Sequence, residues 1–184
     1  MPEPDFDLAR ALEAYGHRYP SEAEAQDVFS LFLASPGALF ERSHPPGHFT
    51  GSAWLVSADG QRVLLTHHRK LGRWLQLGGH ADGDPDLASV ALREAEEESG
   101  LDALVVDPAI FDIDRHAIPA RGHEPEHWHY DVRFVVRATG NEAFAVSEES
   151  LALAWKPIAD IAADPGSDDS LRRMAMKWLS RGRS

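Results

Sequence analysis

Apolar positions repeat at helical spacing near the N-terminus and at strand spacing from about residue 50 onward. Leu8, Leu12 and Tyr15 stand at i, i+4 and i+7, which predicts a helix that Tyr19-Pro20 interrupts. Ser21-Glu22-Ala23-Glu24 then reads as a capping box, in which serine accepts from the third backbone N–H and Glu24 reaches back to the cap. Val28, Phe29, Leu31, Phe32 and Leu33 form the next apolar stretch, which ends near Ser35-Pro36-Gly37. Residues Phe6 to Arg42 are expected to hold two helices and a short third through Leu39-Phe40, with a packing role.

His44-Pro45-Pro46-Gly47-His48 reads as a linker, and strands follow. Thr50–Ser57 and Arg62–Thr66 flank Ala58-Asp59-Gly60-Gln61, and Asp-Gly is a strong hairpin signal. Trp74–Leu77 makes a further strand running into Gly78-Gly79. Asp84 at the N-cap and Pro85 at the first helical position open a helix. Its stripe is Leu87, Ala88, Ala91, Leu92 and Ala95, and Gly100 closes it. Later strands are expected at Leu104–Val106, Ile110–Ile113, His127–Arg137 and Ala152–Trp155. A short helix at Ala159–Ala163 and a last one over Asp168–Ser180, with Leu171, Met174, Ala175, Trp178 and Leu179 inward, complete the chain. This order predicts an α+β sandwich of mixed β-sheet between helices, with residues 1–45 as an N-terminal helical extension and 46–184 as the main domain.

The helix after Gly79 carries the candidate chemistry. Glu94, Glu97 and Glu98 stand at i, i+3 and i+4 and share one face. Three like charges that close call for water or a divalent cation between them. Hard cations take carboxylate oxygens, and Mg²⁺ usually works with phosphates, so the pattern points to metal-assisted hydrolysis of a phosphate compound. The chain's 184 residues, 43% hydrophobic and 26% charged, suit one globular domain. It has no cysteine, which excludes thiolate metal sites and cysteine nucleophiles. Its net charge of −12 disfavours non-specific nucleic-acid and anionic-membrane binding. With no signal-like N-terminus and no long apolar run, a cytoplasmic protein is the expectation.

The stretch Gly79–Leu101 resembles the box of the Nudix hydrolases, G-x5-E-x7-R-E-U-x-E-E-x-G-U, where U is bulky and apolar. Gly79, Arg93, Glu94, Glu97, Glu98, Gly100 and Leu101 match at the right spacing, and the small Ala95 fills the first U position. The first glutamate of the pattern falls on Pro85, flanked by Asp84 and Asp86, and Leu77 stands where the family usually has proline before Gly-Gly. The resemblance implies the Nudix α/β/α sandwich for roughly residues 49–179. It implies Mg²⁺ or Mn²⁺ held by Glu94, Glu97 and Glu98 with Gly79, and Glu94 or Glu97 as base. Arg93 would hold a carboxylate in one rotamer, with a plain pair to Glu97 as the simplest form. Some relatives place a base or ligand on a later loop, where Glu148 and Glu149 stand, and either is equally a surface residue. The implied substrate is a nucleoside diphosphate linked to another group, or a nucleoside triphosphate, and relatives often form homodimers.

His127, His129 and Asp131 alternate along a strand and point to one side. They suit a transition metal, a substrate pocket or an ordinary half-exposed face. His80 follows the Gly-Gly turn and borders the expected metal site. Arg69 and Arg73, with His67, His68 and Lys70, form a basic cluster for substrate phosphates or a solvated turn. Trp54, Trp74, Trp128 and Tyr130 suit base stacking or the core. Two other functions stay open. One is a non-catalytic Nudix-fold nucleotide sensor, against which the three retained glutamates argue. The other is a hydrolase whose metal sits on His127, His129 and Asp131.

Overall fold

The computed structural model describes residues 6–146 and 150–181. The predicted N-terminal stripe forms α1 (Leu8–Arg18), with Leu8, Leu12 and Tyr15 buried and Asp7 capping it by accepting from the Arg10 N–H. The Ser21–Glu24 box does not form. Pro20 instead starts a 3₁₀ turn over Pro20–Glu22, and α2 (Ala23–Leu33) begins after it without a side-chain cap. Proline presets the φ of a first turn, so the chain coils one step before the serine. Glu22 is drawn elsewhere, to the Tyr15 hydroxyl and Lys177 Nζ. The third short helix is absent: Leu39-Phe40 lie in a turn, with Leu39 buried.

Seven strands form one mixed sheet: β1 (Gly47–Val56), β2 (Arg62–His68), β3 (Arg73–Leu75), β4 (Leu77–His80), β5 (Leu104–Ile118), β6 (His127–Ala138) and β7 (Ser150–Pro157). Along the order β3-β2-β1-β6-β5 only β1 and β6 run parallel, while β4 pairs with β1 and β7 with β2. The single strand expected at Trp74–Gly79 divides because β3 bonds to β2 and β4 to β1. The two strands expected after the box helix are one, β5, whose register shifts near Val106–Ile110 and again before Asp112 absorb Pro108.

The box helix is α3 (Leu87–Ser99). Its cap is Asp86, which accepts from the Ser89 N–H, two residues later than the expected Asp84. Asp84 instead accepts from the Asp86 N–H and shapes the turn. Gly100 ends α3 at φ +70°, as expected from its position. The last helices are α4 (Ile158–Ala163) and α5 (Asp169–Ser180). On α5, Leu171, Met174 and Ala175 are buried as expected, but Lys177 is buried too and Leu179 is exposed.

The sheet therefore separates two apolar clusters. One joins α1, α2 and α3 to Phe49, Ala53 and Leu55 of β1, and the other joins α4 and α5 to Trp54 and Val56 of the same strand. The fold is an α+β sandwich with helices on both sides, and the N-terminal helices share the core of the sheet. No helix among the described residues is long and apolar enough to cross a membrane.

A buried ionic network crosses the second face. Arg133 pairs with Asp131 at 2.8 Å, Asp112 at 3.1 Å and Asp114 at 3.3 Å. Arg173 pairs with Asp112 at 2.7 Å, and Lys177 Nζ reaches Asp112 at 2.6 Å and the Tyr15 hydroxyl at 2.7 Å. Burial pushes the Asp112 carboxyl up, but the Arg173 hydrogen bond and the Arg133 and Lys177 charges outweigh it and hold it below the usual range. Burial also raises the Tyr15 hydroxyl, so it stays protonated and donates to Glu22. Backbone carbonyls of β5 are covered as well: Arg18 donates to Ile110 O at 2.9 Å, Arg173 to Ile113 O at 3.3 Å, and Lys177 to Phe111 O at 3.5 Å.

Candidate functional site

α3 lays its glutamates against β4. Glu98 Oε1 accepts from the Gly78 N–H at 2.9 Å, and the Glu94 carboxylate lies against Gly79. A Cβ built on Gly79 would stand 2.5 Å from Glu94 Cδ and 2.9 Å from Oε1, so only glycine leaves room for that carboxylate. Glu94 and Glu98 are half-buried and Glu97 is exposed. The three carboxylates line one region of the helix without converging to a single point.

Arg93 serves the loop rather than Glu97. Its guanidinium lies 3.6 Å from Glu94, 3.9 Å from Asp84 and 3.4 Å from the His80 carbonyl. It thus ties the start of the box to the helix beside Pro85, where the first glutamate of the pattern is missing. Arg42 adds a second tie, gripping Asp82 through two hydrogen bonds of 2.8 and 2.6 Å.

Arg69 is exposed, and Arg73 pairs with Asp168 at 3.1 Å, at the start of α5. Glu148 and Glu149 lie outside the described residues. Of the aromatics, Trp54 and Tyr130 are core, Trp74 packs under Lys156, and the exposed Trp128 packs with Arg115.

The histidine face is larger than the sequence suggested. Register places His48 of β1 beside His129 of β6, and His80 of β4 opposite Thr50. His48, His80 and His129 therefore share one face, with ring centroids 4.7 to 5.3 Å apart. His127 and His116 flank them, His127 Nε2 lying 3.2 Å from His129 Nε2. Burial lowers the pKa of His48 to about 4 and that of His129 to about 2, with neighbouring histidines adding to each shift, so both rings are neutral.

Asp131 does not join them. One of its oxygens accepts from Thr50 and Ser52, both at 2.8 Å, and the other from Arg133. That corrects the expected grouping of His127, His129 and Asp131, because the carboxylate is already saturated by protein donors. Sequence reasoning misses His48, because the prolines of His44-Pro45-Pro46-Gly47-His48 read as a linker. Carrying the period of two back from Ser52 and Thr50 would have put it on this face.

A family model described as the NUDIX domain matches residues 48–178. A C. elegans Ap4A hydrolase binary complex has the same fold, at TM-score 0.58 and 15% identity, covering 73% of this chain and 97% of that one. The E. coli dihydroneopterin triphosphate pyrophosphohydrolase follows at 0.57 and 17%, covering 72% and 95%. The NUDIX domain of Shewanella oneidensis NrtR complexed with ADP ribose matches at 0.50 and 21%, covering 82% and 97%. A search of curated proteins finds no match to this chain. With the family model spanning most of the chain and the sheet, the glycine pair and the glutamate helix in place, the chain belongs to the NUDIX family.

Proposed function

We propose that this chain is a cytoplasmic pyrophosphohydrolase that uses Mg²⁺ or Mn²⁺ to cleave a nucleotide-type phosphoanhydride. The substrate is a nucleoside diphosphate joined to another group, or a nucleoside triphosphate. The supporting observation is the packing of Glu94 and Glu98 against Gly78-Gly79, a cradle that a single Cβ would fill. Glu94, Glu97 and Glu98, with the Gly79 backbone, supply the hard oxygen donors that such a cation takes. When bound, the cation neutralises phosphate oxygens and makes water more acidic.

Glu97, the most exposed of the three, or Glu94 takes the proton of the attacking water. Arg93 is a positioning residue, since it reaches Glu94 and the loop at Asp84 and His80 together.

The test is chromatographic detection of the two phosphorylated products from ADP-ribose, nucleotide sugars, dinucleoside polyphosphates and nucleoside triphosphates (a nucleotide with a sugar phosphate, a second nucleotide or pyrophosphate) with Mg²⁺ or Mn²⁺. Turnover of one class, largely lost in Glu97→Gln with the fold intact, is the expected result. Near-wild-type turnover in that variant would overturn the glutamate assignment. Tight nucleotide binding by the wild-type chain without turnover would replace hydrolysis by a sensing role.

A further inference from the structure

We infer that His48, His80 and His129 form a second metal site, for a zinc-class transition-metal ion, on the face of β4 away from Glu94. Among the described residues these three are the one group of potential ligands whose donor atoms all lie within 4.8 Å of one another. A tetrahedral ion with Zn–N bonds of about 2.0–2.1 Å holds its nitrogens roughly 3.4 Å apart. Small side-chain rotations close that gap, and the strand register already aligns the three rings.

His48 independently points to a ligand. It is 1% exposed, yet neither Nδ1 nor Nε2 has a hydrogen-bond partner. A neutral imidazole carries one N–H and one lone pair, and burying both unpaired is costly. A metal ion takes the lone pair.

The donor set selects the ion. Imidazole suits zinc, copper, nickel and iron, whereas Mg²⁺ requires oxygen. Asp131, which alternates with His129 along β6, is committed to Thr50, Ser52 and Arg133. Three neutral ligands leave the ion its full charge and a fourth position for a water or an anionic oxygen. His127, which is 3.0 Å from the Pro125 carbonyl through Nδ1 and close to His129 through Nε2, orients that ring from behind.

The site is distinct from the carboxylate site although one strand serves both. Residue 79 of β4 makes room for Glu94, and residue 80 supplies an imidazole to the other face.

The experiment titrates the chelator-stripped full chain with Zn²⁺ in excess Mg²⁺, and with Co²⁺ as an optical probe. One equivalent of Zn²⁺ that survives Mg²⁺ is expected, with the intense visible bands of low-coordinate Co²⁺. His80→Asn and His129→Gln should each weaken Zn²⁺ by about tenfold or more. Glu97→Gln should leave Zn²⁺ affinity within about twofold. Because His48 is buried, His48→Gln is read only alongside a folding check, and the other two variants decide. No Zn²⁺ binding, displacement by Mg²⁺, undiminished binding in His80→Asn, or equal loss in Glu97→Gln would each overturn the site.

Discussion

Gly79→Ala separates the position of one carboxylate from the stability of the fold. The added methyl would lie 2.5 Å from Glu94 Cδ, about 1 Å short of the roughly 3.5 Å of ordinary contact. The obstacle is the end of a flexible side chain, so Glu94 moves and the backbone stays. Gly79 is not in the left-handed region, so alanine fits its backbone and gains about 0.4–1 kcal/mol through the unfolded state. Net stability should therefore stay within about 1 kcal/mol. A 1 Å displacement at a reacting centre costs about 10²-fold in rate, or about 2.7 kcal/mol of barrier. Gly78→Ala is the contrast, because its methyl would meet the Gly51 carbonyl and Ser52 Cα, both at 2.8 Å. That variant should lose stability first. Urea unfolding, Mn²⁺ titration and turnover of the best substrate from the nucleotide panel, run on both variants, form the assay. Turnover and Mn²⁺ affinity within threefold of wild type in a folded Gly79→Ala protein would refute the role given to Glu94.

Two further outcomes concern the scaffold. Leu12→Ala removes a fully buried side chain from the cluster shared by α1 and the sheet, so it should cost about 2–5 kcal/mol within one cooperative urea transition; a separate early transition would make the N-terminal helices an independent unit. Asp114 is held below the usual carboxyl range: burial pushes it up, but the His116 hydrogen bond and the Arg133 and Arg173 charges pull it further down. A depressed carboxyl contributes stability that is present above the unfolded value of about 4 and is lost as pH falls through the folded one. Stability should therefore fall below about pH 4, and Asp114→Asn should flatten that fall; an unchanged slope in the variant would remove Asp114 from the account.

The parts of the molecule set by short-range spacing were legible in the chain. The i, i+3, i+4 glutamates, the terminal Gly100 and the β6 alternation all need only local geometry, and each stands where the spacing put it. The misses depend on partners far away in sequence. Lys177 sits off the apolar stripe of α5, and it is buried only because Asp112, Tyr15 and Glu22 arrive from three other elements. His48 gains its meaning from register with His129, eighty-one residues on. Asp131 shares the alternation of His127 and His129, but Thr50, Ser52 and Arg133, two of them from β1, occupy its oxygens. The Ser21 box failed because Pro20 coils the chain before the serine can cap.

The cations that reach β5 also decide how copies of this chain can meet. A bare edge strand is a template for another strand, and sheet extension is the common route to both dimers and aggregates. Along the middle of β5, Arg18, Lys177 and Arg173 occupy the carbonyls of Ile110, Phe111 and Ile113, and the register shifts beside Ile110 break the straight row that an incoming strand would need. A homodimer built by continuing the sheet through this stretch is thereby closed off, and self-association has to use a face or another edge of the sheet.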